Sequence, residues 1–387
     1  MTPVLRYGFR PFFLAAGLAA ALLIPWWAAS YAFGLPLVTG WPPTLWHGHE
    51  MLFGFIGVAI GGFLLTAVPS WTGARGFAGW PLASLAGLWL LGRIAVATAA
   101  LWPFPAVAAI DLAFLPALAA LVLPPLTRER NRNTPLLAVL GALWLSDVAF
   151  YWGLAHGNSS QSLHALIVGI DVVLLLVTVI GGRIVPAFTA SALRPGNPAT
   201  VRVSSTLTAL AVAAMVAVAL GDLFVPDGTI AGAIAALAAL VQAVRLAQWQ
   251  PLRTLRQPIV WVLHLAYLWL PVGLALKAIA LLTGAAPAAF WLHALTIGAA
   301  ASMILAVMTR ASLGHTGRPL VVDPLIALAY VLLTAAAFVR VFGLAVLPLA
   351  YREVIVLAAL LWTAAFALFV GIYAPMLLAP RVDGKPG

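Results

Sequence analysis

The chain is predicted to be an all-α integral membrane protein with about twelve transmembrane helices. Its residues are 64% hydrophobic and 8% charged, with a mean hydropathy of +1.08, whereas soluble domains carry roughly 25% charged residues. Apolar runs of about twenty residues, each able to cross a hydrocarbon core ~30 Å thick as helix, recur along the whole chain. Arg and Lys fall in alternate connections, the pattern of a chain that crosses the bilayer repeatedly.

The first apolar run, Pro11 to Gly34, follows the basic residues Arg6 and Arg10. Glu50 to Pro69 comes next and is closed by Arg75. Pro81 to Leu101 and the short run Ala106 to Leu123 precede Arg128, Arg130 and Arg132. Thr134 to Ala155 and Ser162 to Val185 complete the first six, ahead of Arg194 and Arg202. Ser204 to Val225 and the short run Ile230 to Val244 lead to Arg245, Arg253 and Arg256. Pro258 to Leu282 and Ala288 to Met308 lead to Arg310 and Arg318, and Pro324 to Leu344 and Glu353 to Leu377 end before Arg381 and Lys385. Every basic cluster lies on one face, so both termini are expected on the cytoplasmic side.

The same one-sided distribution accounts for the net charge of +10 and removes any reason to invoke nucleic acid. The segment Met1 to Arg10 runs into the first helix without a small-residue cleavage site, so that helix is expected to be retained. There are no cysteines. Disulfides, thiolate metal sites, iron–sulfur clusters and covalent c-type haem are thereby excluded. Neither a P-loop nor a G-x-G-x-x-G motif is present, which argues against ATP-driven or nicotinamide chemistry.

Three histidines recur at the heads of apolar runs: His49, His164 and His293. His49-Glu-Met-Leu-Phe-Gly and His293-Ala-Leu-Thr-Ile-Gly each lead to a Thr-Gly pair, at Thr72-Gly73 and Thr316-Gly317, and each glycine lies 24 positions beyond its histidine. An Arg and a Pro-Leu follow in both copies, as Arg75 with Pro81-Leu82 and as Arg318 with Pro319-Leu320. The copy at His164 is looser and runs through Gly182-Arg183 to Val185-Pro186. The chain therefore divides into three four-helix pseudo-repeats, residues 1–133, 134–257 and 258–387 of a single polytopic domain. Histidine is costly in a bilayer unless it pairs, lines water or binds something, so its recurrence near one depth points to a metal or a haem.

Five stretches resemble the NnrS family of bacterial membrane proteins: Gly8-Phe-Arg-Pro-Phe-Phe13, Trp46-His-Gly-His-Glu-Met51, Leu64-Leu-Thr-Ala-Val-Pro69 with Trp71-Thr-Gly73, His293-Ala-Leu-Thr-Ile-Gly298, and Met308-Thr-Arg-Ala-Ser-Leu-Gly-His-Thr-Gly-Arg318. Ser70 stands where that pattern has Asn. The resemblance implies an inner-membrane protein containing haem and copper, made during denitrification or nitrosative stress and concerned with nitric oxide. Helix count and histidine placement are also similar to the catalytic subunit of the haem–copper oxidase superfamily. Yet the chain has no adjacent His-His pair and no His-x-x-x-Tyr on the sixth helix.

Spacing and depth assign the histidines. His293 and its symmetric partner His49 are expected to hold haem b between facing helices. His164 and His264 are left for copper, with Tyr267 one turn beyond His264; a hydrogen-bonded core His and Tyr pair is the structural alternative. His47 and His49 can share one ion only outside regular helix, so one ligand each to copper and haem, or a loop-capping role, are the alternatives. Glu50 is expected to orient a histidine or carry protons, although a carboxylate at a helix N-terminus is favourable in itself.

His315, in a cytoplasmic Gly-His-Thr-Gly-Arg loop, is a candidate for a second metal or for proton uptake, and equally for loop capping. Arg10 and Arg340 are candidate partners of a haem propionate. Asp147 and Asp171 are expected to pair with Arg93 or Arg340, or to conduct protons.

Three functions follow: redox turnover of nitric oxide at a haem–copper site fed by quinol or another donor; non-catalytic, metal-dependent protection or sensing; and secondary transport. The recurring histidines and parallel repeats weigh against transport.

Overall fold

In the computed structural model, residues 2–128, 131–193, 201–285 and 290–385 are described. Among them, twelve helices are long and apolar enough to cross a membrane: α1 Phe9–Phe33, α2 Pro43–Thr72, α3 Trp80–Ala97, α4 Phe104–Arg128, α5 Leu136–Ala155, α6 Ser159–Ala192, α7 Ser205–Phe224, α8 Thr229–Ala247, α9 Pro258–Thr283, α10 Trp291–His315, α11 Pro324–Val346 and α12 Tyr351–Leu378. The chain is thus a multi-pass, all-helical membrane protein. Arg130 and Arg194, two of the expected basic loop residues, lie outside the described residues.

Helices α2, α6 and α10 each outrun the apolar pattern by seven residues at one end. Helix α2 begins at Pro43, seven residues before the expected Glu50, because a proline suits the first helical turn and His49 and Glu50 meet buried charged side chains. Helix α10 continues past Met308 to His315, since Thr309 and Ser312 are buried and Thr316 donates back to the Ser312 carbonyl. His315 is therefore the last helical residue and not a loop residue.

Helices α2 and α10 contain a widened π-helical segment: Glu50–Ile56 begins immediately after His49, and Ala294–Ala301 immediately after His293. Such segments shift the side-chain register, swell the helix locally and are frequent at functional sites. Helix α6 continues past His164 as regular α-helix.

The chain forms two compact units. Unit 1 comprises residues 1–169, 308–320 and 366–387, and unit 2 comprises residues 170–307 and 321–365. Unit 1 is centred on Phe9, Phe12, Phe13, Leu64, Leu65 and Leu118, all buried. Glycines let its helices approach closely, as expected where lipid supplies no hydrophobic drive between helices. A Cβ on Gly62 would lie 2.7 Å from the Phe13 ring, and one on Gly48 would lie 2.7 Å from Leu166.

Unit 2 is organised around α9, which packs against α8 and against the π segment of α10. There a Cβ on Gly273 would lie 2.5 Å from Leu295, and one on Gly298 would lie 2.5 Å from the Trp269 ring. The left-handed residue Gly284 (φ 69°) closes α9, a conformation that glycine adopts without steric cost.

Candidate metal centre

His49 ends the first α-helical stretch of α2 and is completely buried in unit 1. Its Nε2 lies 3.0 Å from Asp111 Oδ2 and 3.2 Å from Asp147 Oδ1, and its Nδ1 lies 3.4 Å from Glu50 Oε1. Four helices supply the group: α2 gives His49 and Glu50, α3 gives Arg93, α4 gives Asp111, and α5 gives Asp147 and Tyr151. The Arg93 guanidinium is ion-paired with both Glu50 and Asp111. Tyr151 donates its hydroxyl to Asp111 Oδ2 at 2.9 Å.

Local sequence explains why these groups meet. Asp111 lies just ahead of a break in α4 at Ala113, between the helical pieces Phe104–Leu112 and Phe114–Arg128. Gly92 brings α3 against it, since a Cβ there would lie 2.8 Å from Asp111 Oδ1. Gly54, in the π segment, leaves room for the ion pair: a Cβ would lie 3.0 Å from Arg93 Nη1 and 3.2 Å from Glu50 Oε2. Trp41, Phe53 and Phe150 wall the imidazole at ring separations of 5.4, 5.0 and 4.7 Å.

Charge dictates what such a group can hold. Three buried carboxylates face one guanidinium, which leaves an excess of two negative charges before His49 is counted. An uncompensated buried charge is expensive, so protons or a cation must balance it. Metal–ligand bonds of about 2.0–2.2 Å place neighbouring donor atoms roughly 3.0–3.5 Å apart around one ion. The distances from His49 Nε2 to the two carboxylates match, and all three donor atoms lie within 4.8 Å of one another. The site fits one divalent cation. It does not fit haem iron at His49 Nε2, because two carboxylate oxygens stand where the iron would sit.

The other expected ligands are distributed over both units. In unit 1, α2 and α6 run parallel, since Gly48 meets Leu166 and Leu52 meets Gly169, and His164 accordingly stands at about the level of His47. His47 lies in regular helix, so it faces away from the His49 group and stacks on Trp27 at 4.1 Å. His315 packs against Tyr7 and Phe9 at 5.7 and 5.4 Å, and its carbonyl accepts from Arg381 at 2.9 Å. Arg10 is buried and donates to the carbonyls of Leu377 and Ala379 at 2.9 and 2.6 Å, placing a cation at the C-terminus of α12.

In unit 2, His293 is half-buried at the head of the second π segment. His264 Nε2 meets Thr189 Oγ1 at 2.7 Å. That hydroxyl donates its only hydrogen to the Val185 carbonyl at 2.8 Å, so Nε2 carries the imidazole hydrogen and Nδ1 keeps a lone pair. Tyr267 is not the partner of His264: it donates to Gln242 at 2.6 Å and accepts from Arg245 at 3.0 Å, both of which reach it from α8. Arg340 donates to the Tyr351 hydroxyl at 3.1 Å and lies over the Phe290 ring at 5.0 Å. His156 packs on Trp152 and is exposed.

Sequence reasoning missed Asp111 and gave Asp147 an ion-pairing or proton-conducting role, with no metal. The signal was there: Asp111 is the one charged residue in the apolar run from Leu101 to Leu126. The sequence profile of the family described as NnrS protein matches residues 3–381. No curated protein matches the chain.

Proposed function

Because the chain belongs to the NnrS family, we propose that it is a membrane metalloprotein concerned with nitric oxide, with a divalent metal ion held by His49, Asp111 and Asp147. The observation that carries this reading is the spacing of those three buried donors around an excess of negative charge. One imidazole with two carboxylates admits copper as Cu(II), and equally iron, manganese or zinc, because carboxylates favour harder ions. A redox-active ion there would exchange one electron with nitric oxide.

The surrounding side chains have definite tasks. Arg93 is ion-paired with both Glu50 and Asp111 and holds them in place, and Glu50 faces Nδ1, which leaves Nε2 as the donor to the ion. Tyr151 orients Asp111 through its hydroxyl. Trp41, Phe53 and Phe150 keep water from the imidazole and lower the local dielectric, which strengthens every charge interaction in the group. The haem that the family implies has its candidate ligand in unit 2, at His293, and His49 is not carried forward as a second axial ligand.

The test is metal analysis of the purified full-length protein, together with oxidised and reduced visible spectra with and without nitric oxide. About one divalent ion per chain is expected in the wild type and in the exposed-site control His156→Ala, and its loss in His49→Ala and Asp147→Ala. Equal metal content in all four proteins would overturn the site. A spectrum that does not respond to nitric oxide in the metal-loaded wild type would overturn the ligand.

A further inference from the structure

The His49 group is sealed unevenly. Towards the membrane face that holds the N-terminus, α2 runs on from His49 to Thr72, about 35 Å of helix. Leu52, Phe55, Val58 and Leu65 are buried along it, so the bundle is packed solid on that side. To the side, Arg93 is 9% exposed, but an ion entering there would have to separate its pairs with both Glu50 and Asp111.

The remaining side is closed by one ring. Trp41 stands edge-on to His49 at a ring separation of 5.4 Å and meets Phe150 and Tyr151 at 5.6 Å each. Phe53, Phe150 and Tyr151 also wall the imidazole, and all three are buried on helices. Trp41 differs from them: it belongs to the connection between α1 and α2 and is partly exposed. Leu35, Pro36, Val38 and Gly40 of that connection are exposed, so the membrane surface lies one side chain away from His49.

The backbone around Trp41 is held on both sides. Ala100, between α3 and α4, donates its N–H to the Val38 carbonyl at 3.2 Å. Gly40 adopts a left-handed φ of 69° immediately before Trp41, a conformation that side chains other than hydrogen disfavour. Pro42 and Pro43 then lock φ where α2 begins. The part free to move is the indole, which turns about its own side-chain bonds.

We propose that the Trp41 indole is the gate of the His49 site, through which a divalent cation enters and leaves from the membrane face opposite the N-terminus. This rests on the metal-binding reading of that site. The excess of two negative charges draws cations towards the gate. The closed ring then shields the ion from water and from competing ligands.

The experiment follows Cu(II) leaving the full-length protein in proteoliposomes when EDTA, which does not cross lipid, is added outside. Vesicles are separated by whether an N-terminal peptide tag free of histidine faces out or in. Wild-type protein with the tag inside is expected to lose its copper, and protein with the tag outside to keep it. Trp41→Ala should speed the loss roughly tenfold or more, the factor that corresponds to about 1.4 kcal/mol of barrier. Trp41→Phe should fall between, and Trp80→Ala, which removes an 81% exposed ring at the head of α3, should match the wild type. Equal loss from either face, or an unchanged rate in Trp41→Ala, would overturn the gate and leave the metal site standing. A wild type that takes up no Cu(II) would overturn the metal site and the gate with it. Sidedness is read on the wild type, so that result does not depend on the folding of any variant.

Discussion

Replacing Arg93 by Met tests whether the His49 group is held together by charge in a dry interior. Arg93 is 9% exposed and serves two carboxylates at once, Glu50 and Asp111. Met keeps most of the apolar stem and removes only the cation, so packing loss is small and the effect is electrostatic. Breaking a buried ion pair by removing one partner costs about 3–5 kcal/mol, because the other partner stays buried and uncompensated. That is roughly a 100- to 4000-fold shift towards the unfolded state.

The assay is denaturant unfolding of the detergent-solubilised protein at neutral pH. Arg93→Lys is expected to fall between the wild type and Met, since an ammonium retains the charge and loses the fork that spans both carboxylates. Adding Glu50→Gln and Asp111→Asn to Arg93→Met should recover most of the lost stability, because the charges that need the guanidinium are then gone. A single Arg93→Met variant within about 0.5 kcal/mol of the wild type, the range of ordinary surface substitutions, would refute the reasoning.

Three further outcomes follow from the same structure. Gly298→Ala puts a Cβ 2.5 Å from the buried Trp269 ring and should destabilise by about 1–3 kcal/mol, whereas Gly141→Ala, with nothing within 4 Å, should be neutral or stabilising in the same melt. Thr189→Val leaves the His264 Nε2 hydrogen without its acceptor and should cost about 1–3 kcal/mol, with Thr189→Ser restoring it in the same unfolding assay. Arg381 grips Asp383 through two nitrogens and holds its carboxyl below the usual range, while Val382 donates to the Thr316 carbonyl. A depressed folded pKa gives a contribution that is complete above the unfolded value of about 3.9 and is lost only as pH falls through the lower folded value. Protease cleavage of the C-terminal tail should therefore stay slow from neutral pH down to about 4 and rise below it, and Asp383→Asn should cleave faster at neutral pH with no such rise.

What the sequence could and could not reveal divides along physical lines. The twelve crossings were legible because a bilayer demands a continuous apolar run for each helix, a signal that needs no partner to be read. The ends of α2 and α10 were not, because His47, His49, Thr309 and Ser312 look like loop residues until the side chains that bury them are known. His49 stood out by its recurrence, and Glu50 by adjacency; Asp111, 62 residues along the chain from His49, reaches it only through the break in α4 and the missing side chain of Gly92. Pairing followed the same rule. Asp147 and Arg93 were each recognisable as intramembrane charges, yet Arg93 meets Glu50 and Asp111 while Asp147 meets His49, a choice made by helix packing.

The π segments show the limit most clearly. The 24-residue spacing shared by His49–Gly73 and His293–Gly317 marks where the two stretches correspond, but nothing in Glu50–Ile56 or Ala294–Ala301 announces a widened helix. Each segment carries a glycine that a neighbouring element fills, Arg93 at Gly54 and Trp269 at Gly298, with added Cβ distances of 3.0 and 2.5 Å. A π turn weakens the helix and persists where tertiary contacts repay it. The widening therefore belongs to the assembled bundle, and its appearance directly after two of the three recurring histidines is a reason to seek chemistry at both.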